Sequence, residues 1–106
     1  MTDKELLTLA AKAAGIELHW NAAGMPTVPY YFSEEGEAAD WNPLADDGDA
    51  LRLAVKLRLQ VEWDADGEPR IETATEYLYE PIGDDLYAAT RRAIVRAVAE
   101  IGKEMK

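Results

Sequence analysis

Trp41-Asn42-Pro43-Leu44-Ala45-Asp46-Asp47-Gly48-Asp49-Ala50-Leu51-Arg52-Leu53-Ala54-Val55-Lys56-Leu57 is the stretch on which the reading of this chain turns. Proline disfavours α geometry at the residue before it, so Asn42-Pro43 marks an entry turn. The aspartates that follow belong at a helix N-terminus, where free backbone N–H groups and the helix dipole favour carboxylates. From Ala50 to about residue 58, Leu51, Leu53, Ala54, Val55 and Leu57 leave the helix apolar around more than half its circumference. Such a helix is expected to be buried on a broad face. This central helix is expected to organise the domain.

Outward from it the pattern is regular. Thr2-Asp3-Lys4-Glu5 reads as a capping box that opens a helix over 3–14, closed by Gly15. Ile16-Glu17-Leu18-His19-Trp20 alternates with period two and reads as a strand with Ile16, Leu18 and Trp20 on one side. Residues 21–24 read as a turn, and Thr27 to Ser33 as a second strand with Val28, Tyr30 and Phe32 on one face. Pro26 and Pro29 remove N–H donors, which suits a sheet edge or a break near Pro29. Residues 34–40 read as an acidic loop. Beyond the central helix, Leu59 to Trp63 and Arg70 to Tyr77 read as a hairpin around Asp66-Gly67. Its inner side is expected to carry Val61, Trp63, Ile71, Thr73, Thr75 and Tyr77. Its outer side is expected to show Gln60, Glu62, Glu72, Ala74 and Glu76. After a connector over 79–83, Asp84 or Asp85 caps a final helix with Leu86, Thr90, Ala93, Ile94, Ala97, Val98, Ile101 and Met105 in one stripe.

The order α-β-β-α-β-β-α, with strands joined by short turns, predicts an α+β fold with one four-stranded, mainly antiparallel sheet. The central helix either joins the helix layer on the sheet's apolar face or covers the opposite face. The passages 3–33 and 46–77 share a helix-then-hairpin order, but their sequences do not match, so no internal repeat is read. At 106 residues the chain fits a single domain, 1–106. A domain of this size buries roughly two-thirds of its unfolded surface.

With no cysteine, disulfides and thiolate metal sites are excluded. No basic n-region with an apolar segment opens the chain, and no run approaches the about 18 apolar residues of a membrane span. A soluble cytoplasmic protein is the expectation. The net charge is −10, from 21 acids against 11 lysines and arginines. That charge opposes binding to nucleic acid or anionic membranes. Between residues 62 and 85 Arg70 is the lone base.

The segments Trp41–Val55 and Asp85-Leu86-Tyr87-Ala88-Ala89-Thr90-Arg91-Arg92-Ala93-Ile94-Val95-Arg96-Ala97 resemble two signatures of the phage ABA sandwich domain family. The opening Asp3-Lys4-Glu5-Leu6-Leu7 with Ala10-Ala11-Lys12-Ala13-Ala14-Gly15-Ile16 resembles that family's start. Regions 17–40 and 60–82 diverge from it. The resemblance implies a phage or prophage origin, hence a bacterial host cytoplasm. It also implies helix, sheet and helix layers, which places the central helix on the sheet's second face in a three-layer sandwich rather than a two-layer one. It brings no activity, substrate or catalytic residue.

Candidate chemistry is sparse. Asp46-Asp47-Gly48-Asp49 offers carboxylates, but the twelfth position counted from Asp46 is Leu57, so an EF-hand loop fails. Helix capping accounts for these acids without a metal. His19, the sole histidine, has a carboxylate neighbour in Glu17 and could act as a base. No serine or cysteine nucleophile accompanies it convincingly, Ser33 being the only serine. Trp20 and Trp63 read as core, and Trp41 is the ring least expected there. Arg91, Arg92 and Arg96 form a small basic patch, suited to pairing with acids such as Glu100 or to gripping a phosphate. There is no phosphate loop, metal helix or nucleophile elbow.

The expectation is therefore a non-catalytic accessory protein without cofactor or metal, monomeric or weakly dimeric, that binds a basic protein surface and could mimic nucleic acid toward a host factor. The acids expected to meet that partner are Glu34, Glu35, Glu37 and Asp40 of the loop, and Glu62, Asp64, Asp66, Glu68, Glu72 and Glu76 of the hairpin. Two other readings compete. One is a small-ligand- or metal-binding enzyme-like domain built on Asp46–Asp49, His19 and Arg91 or Arg92. The other is a self-assembling structural component that uses exposed tyrosines or a sheet edge.

Overall fold

A computed structural model of the chain describes residues 1–20, 29–73 and 77–105. The expected turn over 21–24, the start of the second strand at Thr27 and Val28, and Ala74, Thr75 and Glu76 lie outside the described residues. The described chain is α+β, in the order α1 (Asp3–Ala14), β1 (His19–Trp20), β2 (Pro29–Phe32), β3 (Ala38–Asp40), α2 (Asp47–Lys56), β4 (Gln60–Trp63), β5 (Pro69–Glu72), β6 (Tyr77–Tyr79) and α3 (Leu86–Glu104). In place of one four-stranded sheet it forms two three-stranded antiparallel sheets, β1-β2-β3 and β4-β5-β6. Two local events cause the difference. The acidic stretch 34–40 is a tight hairpin rather than a loop: Ser33 N–H donates to the Glu37 carbonyl, Gly36 takes a positive φ, and Ala38–Asp40 pairs with β2. The expected strand 70–77 is two strands, since Tyr77–Tyr79 runs antiparallel to Pro69–Glu72 and pairs with it.

That reversal changes side-chain parity. Ile71 faces Val61 on one side and Leu78 on the other, and these three pack toward the core. Tyr77 instead lies opposite Glu72 and is exposed, correcting its expected place on the inner side. Pro29 begins the central strand of its sheet rather than an edge strand. Proline is tolerated as a first strand residue because its missing N–H falls outside the ladder.

The helix ends follow the sequence closely. Thr2 and Glu5 form the capping box of α1, and Gly15 ends that helix at φ 71°. Asp46 caps α2 by accepting from Asp49 N–H at 2.8 Å. Asp85 caps α3 by accepting from the N–H groups of Tyr87 and Ala88. At the β4–β5 turn, Asp64 accepts from the N–H groups of Asp66 and Glu68, with Gly67 at positive φ.

The core is centred on α3 rather than on α2. Ala93, Ile94, Val95, Ala97, Val98 and Ala99 are all buried, so the middle of α3 is enclosed on more than the expected stripe, whose ends at Leu86 and Met105 are exposed. It packs against α1, α2, β5 and β6. Asp3 meets Arg92, Leu9 meets Gly102, and Lys12 donates to the carbonyl of Met105, so α1 runs parallel to α3. The approach is close: a Cβ on Gly102 would stand 2.1 Å from the carbonyl oxygen of Leu9. Glycine is required there by backbone proximity, not by dihedral angle.

The two halves share a plan that their sequences conceal. Each sheet follows a helix that ends in a left-handed residue, Gly15 in the first and Arg58 in the second. The next residue, Ile16 or Leu59, returns its N–H to the helix, to Ala11 and Ala54 respectively. Five residues past the left-handed position stands a tryptophan, Trp20 or Trp63, opposite the proline that opens the central strand. The carbonyl of that proline accepts from Trp41 in one unit and Glu80 in the other. The passages 3–33 and 46–77 thus share a backbone plan although their sequences do not match.

Candidate partner-binding surface

The stretch 41–57 is held by a dense set of local bonds. Asn42 oxygen atoms accept from Leu44, Ala45 and Asp46. The buried carboxylate of Asp49 accepts from Asn42 N–H at 3.0 Å and from the Arg52 guanidinium at 2.6 Å. The Asp49 hydrogen bond holds Arg52 above its ordinary pKa, against the opposing effect of desolvation. Arg91 reaches across from α3, donating Nε to the carbonyl of Leu44 at 2.9 Å and pairing with Asp47 at 2.7 Å. Trp41, the ring least expected in the core, is 4% exposed and belongs to the buried core.

The other arginines are likewise committed. Arg92 pairs with Asp3 and Glu80, and Arg96 pairs with the same Glu80 carboxylate, which is buried. The expected basic patch is therefore a set of ties. Its partners come from distant parts of the chain rather than from Glu100. Arg70 pairs with Glu62 across the β4–β5 ladder, lies 5.2 Å from the Tyr77 ring centroid and donates to the Tyr79 hydroxyl. The Tyr79 bond raises its pKa, again opposed by desolvation.

Glu62, expected to face outward toward a partner, is instead paired with Arg70. Asp64 is engaged in its own turn. Glu34, Glu35, Glu37, Asp40 and Asp66 are exposed, and Glu68 and Glu72 are half-buried. Glu76 lies outside the described residues. None of the ion pairs among the described residues involves Glu34, Glu35, Glu37, Asp40 or Asp66.

The groups of the enzyme-like reading are dispersed among separate contacts. Asp47 and Arg91 meet, whereas Arg92 turns to Asp3 and Glu80. His19 does point away from Ile16, Leu18 and Trp20, as its alternation requires. It stacks on Tyr30 at 5.4 Å and meets the edge of Phe32 at 5.3 Å, with Glu17 at 3.8 Å. Among the described residues no group of three acids, histidines or cysteines is placed to hold a metal ion. No helix among them is long and apolar enough to cross a membrane.

The feature that sequence reasoning missed is apolar. Leu51 and Val55 of α2 are 63% and 67% exposed, so the broad burial expected of that helix is not found. Ala50, Leu53 and Ala54 are its buried apolar side chains. Trp63 stands on the same side of its sheet as Ile71 but is 51% exposed, and its indole Nε1 donates to Thr90 at 3.1 Å. Between α2, β4 and the first turns of α3 lies a groove of about 510 Å³, walled by Ala54, Val61, Trp63, Tyr87 and Ile94. The sequence signal is the breadth of the apolar face of α2, which its main packing neighbour, α3, does not cover.

No protein-family model, curated protein or solved structure matches this chain.

Proposed function

We propose that this chain is a small, acidic, non-catalytic accessory protein of a phage or prophage that acts in the host cytoplasm by binding the basic surface of another protein. The observation that supports this reading is the disposition of charge. Five of the six arginines are bonded to the chain's own carboxylates, and those pairs neutralise Asp3, Asp47, Asp49, Glu62 and Glu80. Seven of the remaining carboxylates are exposed at the 34–40 hairpin, at Asp66 and at Asp84–Asp85. Such a surface accelerates encounter with a basic partner and selects against acidic ones. Where the partner's basic surface normally holds nucleic acid, the same carboxylates stand in for phosphates, and the protein competes with the nucleic acid.

The test is capture from host lysate beside a Glu34→Lys, Glu35→Lys, Glu37→Lys variant, read at low and physiological salt. The expected result is a basic protein retained by the native chain, lost from the variant and weakened by salt. Recovery of no basic protein above a folded bait of equal net charge overturns the reading.

A further inference from the structure

We propose that the groove between α2, β4 and the start of α3 anchors an amphipathic helix of the partner, apolar on one face and flanked by lysine or arginine. This rests on the reading of the chain as a binder of basic proteins and adds where, and by what shape, the partner is held.

Exposed apolar side chains are ordinary singly, but a contiguous set rimmed by charge marks a contact surface. Here Leu51, Val55, Leu86 and Tyr87 from two helices and Trp63 from a strand are all exposed, and all but Val55 line the groove. The walls are pre-set. Trp63 is fixed by its bond to Thr90, and α2 is pinned to α3 through Arg91, Asp47 and the Leu44 carbonyl. An occupant therefore meets aromatic surface already ordered, which lowers the entropic cost of binding.

Charge selects among occupants. Asp64 follows Trp63, and Asp84 and Asp85 precede Leu86, so three carboxylates outside the ion pairs adjoin residues of the lining. Arg91, the one base among the lining residues, is already paired with Asp47. A second copy of this chain would bring the same acids against themselves, which is unfavourable. A helix with basic flanks satisfies both features, because its i, i+3, i+4 and i+7 side chains enter an apolar groove while its cations meet the rim.

The probe is a synthetic leucine–lysine peptide of about 14 residues, or four helical turns, with its leucines on one face. The control has the same composition with the leucines scattered. Binding is followed by calorimetry, by peptide circular dichroism and by the Trp63 indole N–H resonance. The amphipathic peptide is expected to gain helicity, to shift the Trp63 resonance and to bind at least about tenfold tighter than the control. Leu51→Ser and Tyr87→Ser, both at exposed positions, are expected to remove that advantage without lowering Tm. Equal binding of the two peptides, indifference to Leu51→Ser, or a bound strand overturns the groove assignment and leaves the acidic-binder reading standing. A concentration-dependent dimer abolished by Leu51→Ser also overturns it, since the occupant is then a second copy. Binding of neither peptide, even at low salt, removes the acidic-binder reading and this inference together.

Discussion

Trp41→Ala is expected to cost about 3–5 kcal/mol, the range for emptying a large aromatic site, because the residue is 4% exposed within the core. Trp63→Ala is expected to cost about 1 kcal/mol, since half its surface is already in water and only the Thr90 bond and part of one face are lost. Urea unfolding of the two variants checks the order. A larger loss at Trp63 would mean that the groove is closed in solution. The sequence pattern alone favours the opposite order. Period-two alternation reports which side of a strand a residue occupies but not whether anything covers that side, and Trp41 lies in no periodic segment at all. Arg58 offers a second test at this scale. It holds φ 54°, a left-handed conformation that costs a non-glycine residue about 1–2 kcal/mol, where the first half of the chain has Gly15. Arg58→Gly is expected to raise stability by up to about 1 kcal/mol, part of the relief being offset by the freer unfolded chain. A drop in Tm would show that the arginine side chain supplies more than its backbone costs.

Helix α3 depends on how closely α1 approaches it. Gly102→Ala would place a methyl group against the Leu9 carbonyl, and neither helix backbone can yield locally. A loss of about 1–3 kcal/mol is expected from the forced separation, read as a fall in thermal midpoint. An unchanged midpoint would mean that α1 is not docked as described. The start and end of α1 and the caps of α2 and α3 were legible in the sequence because they depend on residues three or four apart. The identity of the central helix was not. α2 has the more continuous apolar run, but α3 has alanines and a glycine that admit neighbours on several sides, and closeness of approach outweighs bulk. The acidic stretch 34–40 was misread for a related reason. Its carboxylates suit a loop, yet Gly36 and the Ser33–Glu37 backbone bond close a hairpin whose strand pairs by main chain alone.

Over the whole molecule, a net charge of −10 repels itself in the compact state. Raising salt from about 0.01 to 0.15 M shortens the Debye length from about 30 to 8 Å, and Tm is expected to rise by a few degrees. A fall would mean that screening the arginine ties matters more than relieving the repulsion. Glu80 tests those ties directly. Glu80→Gln leaves Arg92 and Arg96 without their shared buried carboxylate, and a cost of about 1–2 kcal/mol is expected, discounted because both arginines are partly exposed. Chemical denaturation measures it, and a loss confined to a few tenths would place the pair among ordinary surface bridges.

Capping signals, local periodicity and the Asp-Gly turn determined the α+β class, all three helices and the β4–β5 hairpin, because each follows from residues close together along the chain. Tertiary structure alone decided that the strands divide into two sheets, that α3 holds the centre, that Arg91, Arg92 and Arg96 pair with acids distant in the chain and that an apolar groove stays open. Those outcomes depend on which faces meet. One-dimensional periodicity cannot report that, since it describes each element's faces without saying how many neighbours there are to cover them.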